Sequence, residues 1–140
     1  MNKHSASKQY SNVNAQTGIV DADPHKLIQM LFAGALEQIA VAKGCIQRDD
    51  VAGKGAAIGK AIGIVNGLQD SVNHDVDSGG LSDNLTALYD FVNRKLSEAN
   101  VNSDGAALDE AANIMKELQS GWNDIRPQVL AAAGEALTSA

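Results

Sequence analysis

One pattern recurs four times along the chain: apolar residues at intervals of three and four, broken by short polar turns. In 24–47, Leu27, Ile28, Leu31, Phe32, Ala35 and Ile39 form one broad apolar face that Ala42 and Ile46 extend. Its start is marked by Asp23, which can accept from first-turn amides, and by Pro24, whose φ is already helical. In 51–73 the line is Ile58, Ala61, Val65, Leu68 and Val72, with Asp50 as its cap. In 81–99 it is Leu81, Leu85, Leu88, Val92, Leu96 and Ala99, with Tyr89 at the flank and Phe91 off-centre. In 105–126 it is Leu108, Ala111, Met115, Leu118, Trp122 and Ile125, capped by Asp104. Arg126-Pro127 ends that last helix, because a residue before proline is pushed out of helical angles. No run alternates with the period of a strand. The turns at 48–50, 74–80 and 100–104 are short, so successive helices run in opposite directions. The expected fold is all-α: an antiparallel four-helix bundle over 23–126.

Two segments flank that bundle. Residues 1–22 are polar and small, and cannot bury enough surface to order themselves alone. Tyr10, four residues after Ala6, together with Val13 makes conditional docking of a short turn one reading of this segment. A plain polar tail is the other. Residues 127–140 contain good helix formers but only one weak apolar face, which predicts a frayed helix or a mobile tail.

Composition narrows the function. Hydrophobic residues make up 44% of the chain and aromatics only 4%, so the core is aliphatic. The net charge of −6 argues against nucleic acid, which needs a basic stripe, and against anionic lipid. Cys45 has no second cysteine to pair with, and reads as a small, semi-buried packing residue. There is no apolar leader at the N-terminus and no run long enough to insert in a membrane, so a cytoplasmic protein is expected.

Candidate chemistry is sparse. His4, His25 and His74 form no metal pair, and His25 reads as an exposed helix-start residue. Neither Gly53-Lys54 nor Gly59-Lys60 has the spacing of a phosphate loop. The expectation is a non-enzyme without cofactor or metal, acting through apolar groups outside the bundle seam: Met30, Val41, Ile64 and Phe91. Such residues in isolation are also ordinary surface. Gly55, Gly59, Gly63 and Gly67 recur every four residues, and each costs about 0.8–1.0 kcal/mol of helix propensity against Ala. The last three fall on the outward side of the wheel, which suits a flat strip for a partner helix or mere composition. Trp122 continues the seam and reads as a packing anchor.

The chain resembles the FliS family of flagellar secretion chaperones over most of residues 6–125. The agreement includes Ala6-x3-Tyr10, then Asp23-Pro24-His25-x-Leu27-Ile28-x-Met30-Leu31 with Gly34-Ala35-Leu36, and Lys60-Ala61-Ile62. It continues through Gly79-Gly80, Asn84-Leu85-x-x-Leu88-Tyr89, Leu96-x-x-Ala99-Asn100, Leu108-Asp109-Glu110 and Gly121-Trp122. The family usually has Tyr at Phe32 and Glu at Leu81, and its pattern does not extend past Pro127.

That resemblance implies an antiparallel bundle that holds the C-terminal segment of flagellin in the cytoplasm and delivers it to the export apparatus, with no enzymatic activity. It also implies that the segment around Tyr10 covers part of the binding surface and contributes to docking at an export gate component. The residues expected to meet partners are Tyr10, Val13, Met30, Gly59, Gly63, Ile64, Gly67, Leu68, Leu88 and Phe91. Two competing readings are a ligand- or cofactor-binding helical enzyme, which needs polar groups inside the bundle, and a structural homodimer joined through the same apolar strip.

Overall fold

A computed structural model describes residues 23–72 and 81–124. Their structure is four helices: α1 Pro24–Gln47, α2 Val51–Asp70, α3 Leu81–Asn102 and α4 Gly105–Asp124, with no strand among the described residues. Each helix packs on two others, in the ring order α1, α2, α3, α4 and back to α1. The architecture is the all-α four-helix bundle that the periodicity predicts.

Local chemistry sets the helix starts. The Lys26 backbone N–H donates to Asp23 Oδ1 at 2.8 Å, and that of Gly53 to Asp50 Oδ1 at 2.9 Å. Asp104 Oδ1 accepts from the backbone of Ala106 and Ala107 at 3.0 and 3.3 Å. Each aspartate satisfies amides that the first helical turn leaves unpaired.

The two turns at one end of the bundle are alike. Asp49 and Ser103 adopt positive φ, 56° and 49°. The residue after each then bonds back into the last turn, Asp50 N–H to Cys45 O at 2.9 Å and Asp104 N–H to Ala99 O at 3.2 Å. This six-to-one closure needs only one left-handed residue. It lets α3 continue to Asn102, past the expected stop at Ala99. At the other end α2 stops at Asp70 rather than 73, and the Ser71 hydroxyl takes the Leu68 carbonyl at 2.6 Å.

The seam lines form the core. Ile58, Leu68, Leu96, Leu108, Met115, Val65 and Val92 are its largest fully buried side chains, each contributing about 1.5–3 kcal/mol by burial. Ala35, Ala42, Ala61, Ala99 and Ala111 sit between them with no exposed surface. Phe32 and Tyr89 are its aromatic members, and burial pushes the Tyr89 hydroxyl up to about 12. Leu68, expected to meet a partner, is instead core, because it lies on the centre line of α2.

One further expectation is corrected, at the end of the bundle where α1 begins. His25 is buried, not exposed: its ring stacks on Trp122 at 4.5 Å between centroids and 11° between planes. Its Nε2–H donates to Trp122 O at 2.6 Å, and Trp122 Nε1–H donates to His25 O at 2.9 Å. Trp122 is therefore a half-buried clasp between the start of α1 and the end of α4. At the opposite end Lys54 is buried, and its Nζ donates to Ser103 Oγ at 2.8 Å, pinning α2 to the α3–α4 turn.

Candidate partner-binding surface

The ring order makes four outer grooves, and their chemistry differs. The α1–α4 groove is bridged by polar side chains, Gln29 to Asn123 at 2.9 Å and Lys43 to Asp109 at 2.7 Å. The α2–α3 groove carries a polar ladder, with Gln69 donating to Asp90 and Asn93 to Asn66, both at 2.9 Å. Beside it, Asp90, Asn93, Arg94 and Ser97 line an open depression of about 450 Å³.

The α1–α2 groove is apolar. Ile64 lies over Gly34, where an added Cβ would be 3.4 Å from Ile64 Cδ1. Met30 and Val41 share the flank of Gly34, within about 40° of it on the helical wheel. Met30 and Ile64 are half-buried, and Val41 is 44% exposed.

The α3–α4 groove is apolar below an ionic rim. Lys95 Nζ pairs with Glu110 at 3.1 Å and Glu98 at 3.3 Å, and these carboxylates raise its pKa. Leu88 and Phe91 lie within about 40° of Lys95 on α3. Ile114 and Leu118 lie about 40° and 80° from Glu110 on α4, on the side toward the core. Leu88 remains 36% exposed, whereas Phe91, Ile114 and Leu118 are half-buried. The Phe91 ring has Lys95 Nζ 5.5 Å and Arg94 Cζ 5.8 Å from its centroid.

The expected partner-binding residues thus separate. Met30 and Ile64 share one groove, Leu88 and Phe91 another, and Tyr10 and Val13 lie outside the described residues. Gly59 and Gly63 face open space, with nothing within 4 Å of an added Cβ. Gly67 does not: it is buried. The outward strip is therefore Gly59 and Gly63. Ile114 was missed by the sequence reading, although it stands about 100° from the Met115 line and so outside the seam.

Among the described residues no group of three or more His, Cys, Asp or Glu could hold a metal ion, and no helix is long and apolar enough to cross a membrane. Cys45 is buried under the α1–α2 turn, where Arg48 Nη2 lies 3.7 Å from its sulfur.

Comparison with known proteins agrees with the residue pattern. The sequence profile of the family described as "Flagellar protein FliS" matches residues 6–129. The flagellar secretion chaperone FliSB of Pseudomonas aeruginosa is 43% identical over 121 residues, covering 86% of this chain and 94% of that one. The flagellar secretion chaperone FliS of Salmonella typhimurium is 34% identical, covering 89% and 92%. That of Vibrio cholerae is also 34% identical, covering 85% and 87%. With its profile matched nearly end to end over the bundle, the chain belongs to the FliS family.

Proposed function

We propose that this protein is a cytoplasmic export chaperone that binds the C-terminal helical segment of flagellin. It keeps that segment from polymerising early and passes it to the flagellar export apparatus. The observation that carries the reading is apolar surface left in the α1–α2 and α3–α4 grooves, outside a core already complete without it. An amphipathic helix lays its apolar face into such a groove. Met30 and Ile64 in one groove, and Leu88 and Phe91 in the other, are the anchors. Gly59 and Gly63 offer a strip where a third stretch of the client can approach the α2 backbone. The relatives' printed names, flagellar secretion chaperones, support the same role. The segment around Tyr10 and Val13 contributes to docking at the export gate component.

Size-exclusion chromatography tests this directly. The protein should co-elute with full-length flagellin monomer and not with flagellin lacking its C-terminal segment. Co-elution with both, or with neither, removes the reading. A shift of the free protein to dimer with rising concentration would instead favour self-association through the same grooves.

A further inference from the structure

The α3–α4 groove has an apolar floor and a charged rim, and the charges on that rim are not all paired. On the α3 side two cations lean over the Phe91 ring, Lys95 Nζ at 5.5 Å and Arg94 Cζ at 5.8 Å from its centroid. Lys95 is neutralised: Glu98 and Glu110 hold it at 3.3 and 3.1 Å. Arg94 is exposed and pairs with no carboxylate among the described residues. Asp90, one turn back on the same helix, is engaged across the α2–α3 groove, where its Oδ1 accepts from Gln69 Nε2 at 2.9 Å. The Arg94 guanidinium leans over Phe91 instead, with no carboxylate in its fork of donors.

The opposite rim has the opposite sign. Glu117 is exposed and lies within about 20° of Glu110 on the wheel of α4, on the flank that faces α3. Lys116, next to it in sequence, lies about 160° from Ile114 and so away from the groove. Between the rims Leu88 is 36% exposed and Phe91 half-buried, so a partner must bring apolar groups. The spacing on that partner follows from the geometry. Side chains three or four residues apart on a helix stand about 5–6 Å apart at Cβ, which matches the 5.8 Å between the Phe91 ring and the Arg94 guanidinium.

We propose that Arg94 selects the partner of this groove: an amphipathic helix with a carboxylate three or four residues from the apolar side chain that covers Phe91. That carboxylate lies on the flank along α3, because Glu117 repels it from the flank along α4. A guanidinium takes a carboxylate through two parallel hydrogen bonds, which fixes position as well as charge. The preference runs against the net charge of −6, which by itself would favour a basic helix. The selection stands on the rim, whereas the identity of the helix as part of flagellin rests on the function proposed above.

Fluorescence anisotropy with two dye-labelled helical peptides tests it in the full chain. Both carry the same leucine stripe; one has Glu along one flank of the stripe and the other has Lys there. At low salt the protein should bind the Glu peptide about three- to fivefold more tightly, the scale of an exposed ion pair. Arg94→Gln should abolish the difference, Arg94→Glu should reverse it, and Lys116→Gln should leave it intact. In about 1 M NaCl, where charges are screened beyond about 3 Å, the wild-type preference should vanish. Circular dichroism confirms that each variant is helical. The methyl signals of Leu88 and Leu118 should shift on binding. A tighter Lys peptide, a preference that survives Arg94→Gln, or shifts confined to Met30 and Ile64 overturns the proposal. So does the absence of binding by both peptides. The flagellin C-terminal segment should lose about three- to fivefold in affinity with Arg94→Gln at low salt, and equal binding to both proteins removes Arg94 from client selection. A segment that does not bind the wild type while the Glu peptide does refutes the flagellin reading and leaves the selectivity of the groove in place.

Discussion

Replacing Gly59 and Gly63 by alanine should stabilise the free protein. Both lie in the interior of α2 and open space surrounds them, so a methyl group meets nothing and no backbone must shift. What changes is the entropy that glycine loses on entering a helix, about 0.8–1.0 kcal/mol at each site. The two sites are one turn apart and make no shared contact, so the double variant should gain about 1.6–2.0 kcal/mol. Urea unfolding followed by far-UV circular dichroism reads this as a higher midpoint with an unchanged slope. Gly53→Ala is the internal control. Its Cβ would overlap Asp50 Oδ2 and stand 2.9 Å from Cys45 Sγ. The same exchange there should cost about 1 kcal/mol, because the Asp50 cap is displaced. An unchanged or lower midpoint for the double variant would refute the reasoning, since it would mean that α2 turns these glycines toward a neighbour. On the proposed function the stabilised double variant should also bind the flagellin segment more weakly, a separate measurement that propensity cannot influence.

The His25–Trp122 clasp gives a second prediction: Trp122→Ala should cost about 2–3 kcal/mol, less than a fully buried tryptophan, through lost stacking, packing and one hydrogen bond. A double-mutant cycle with His25→Ala should show a coupling of about 1 kcal/mol; additive costs would mean the stacked rings do not interact. Asp49→Gly should stabilise by about 0.5–1 kcal/mol in thermal or urea unfolding, because φ at 56° strains any side chain and glycine none. A loss of stability would show that the Asp49 side chain contributes more than its backbone costs. Tyr89 sets a pH dependence. Its hydroxyl, pushed up to about 12 by burial, keeps its proton where an unfolded tyrosine, at about 10, has lost it. The folded state then binds more protons, so stability present below pH 10 falls as pH rises toward 12, by on the order of 2 kcal/mol. Tyr89→Phe should flatten that alkaline slope, and an identical slope in both proteins would contradict the assignment.

The fold was legible because helices are local. Ile58, Ala61 and Val65 fall on one line by spacing alone, and all three are fully buried. The caps at Asp23, Asp50 and Asp104 involve residues two or three apart, so short-range hydrogen bonding decides them. The resemblance to the FliS family was likewise carried by residues and their order. Helix ends were less legible: whether α3 stops at Ala99 or Asn102 depends on a single residue accepting positive φ, which Ser103 does.

Angles on a wheel are a property of one helix, whereas exposure is a property of its neighbours. Spacing put Gly59, Gly63 and Gly67 on one ridge, but Gly67 is buried and the other two are open. Spacing also placed Leu88 on a seam, yet it is exposed, while His25 at a helix start is buried against a tryptophan 97 residues away. Periodicity and capping specify which residues form helices and which face each helix must cover. Which helices cover it, and which flanks are left as grooves, depends on packing between residues far apart in the chain, for which a local pattern carries no term.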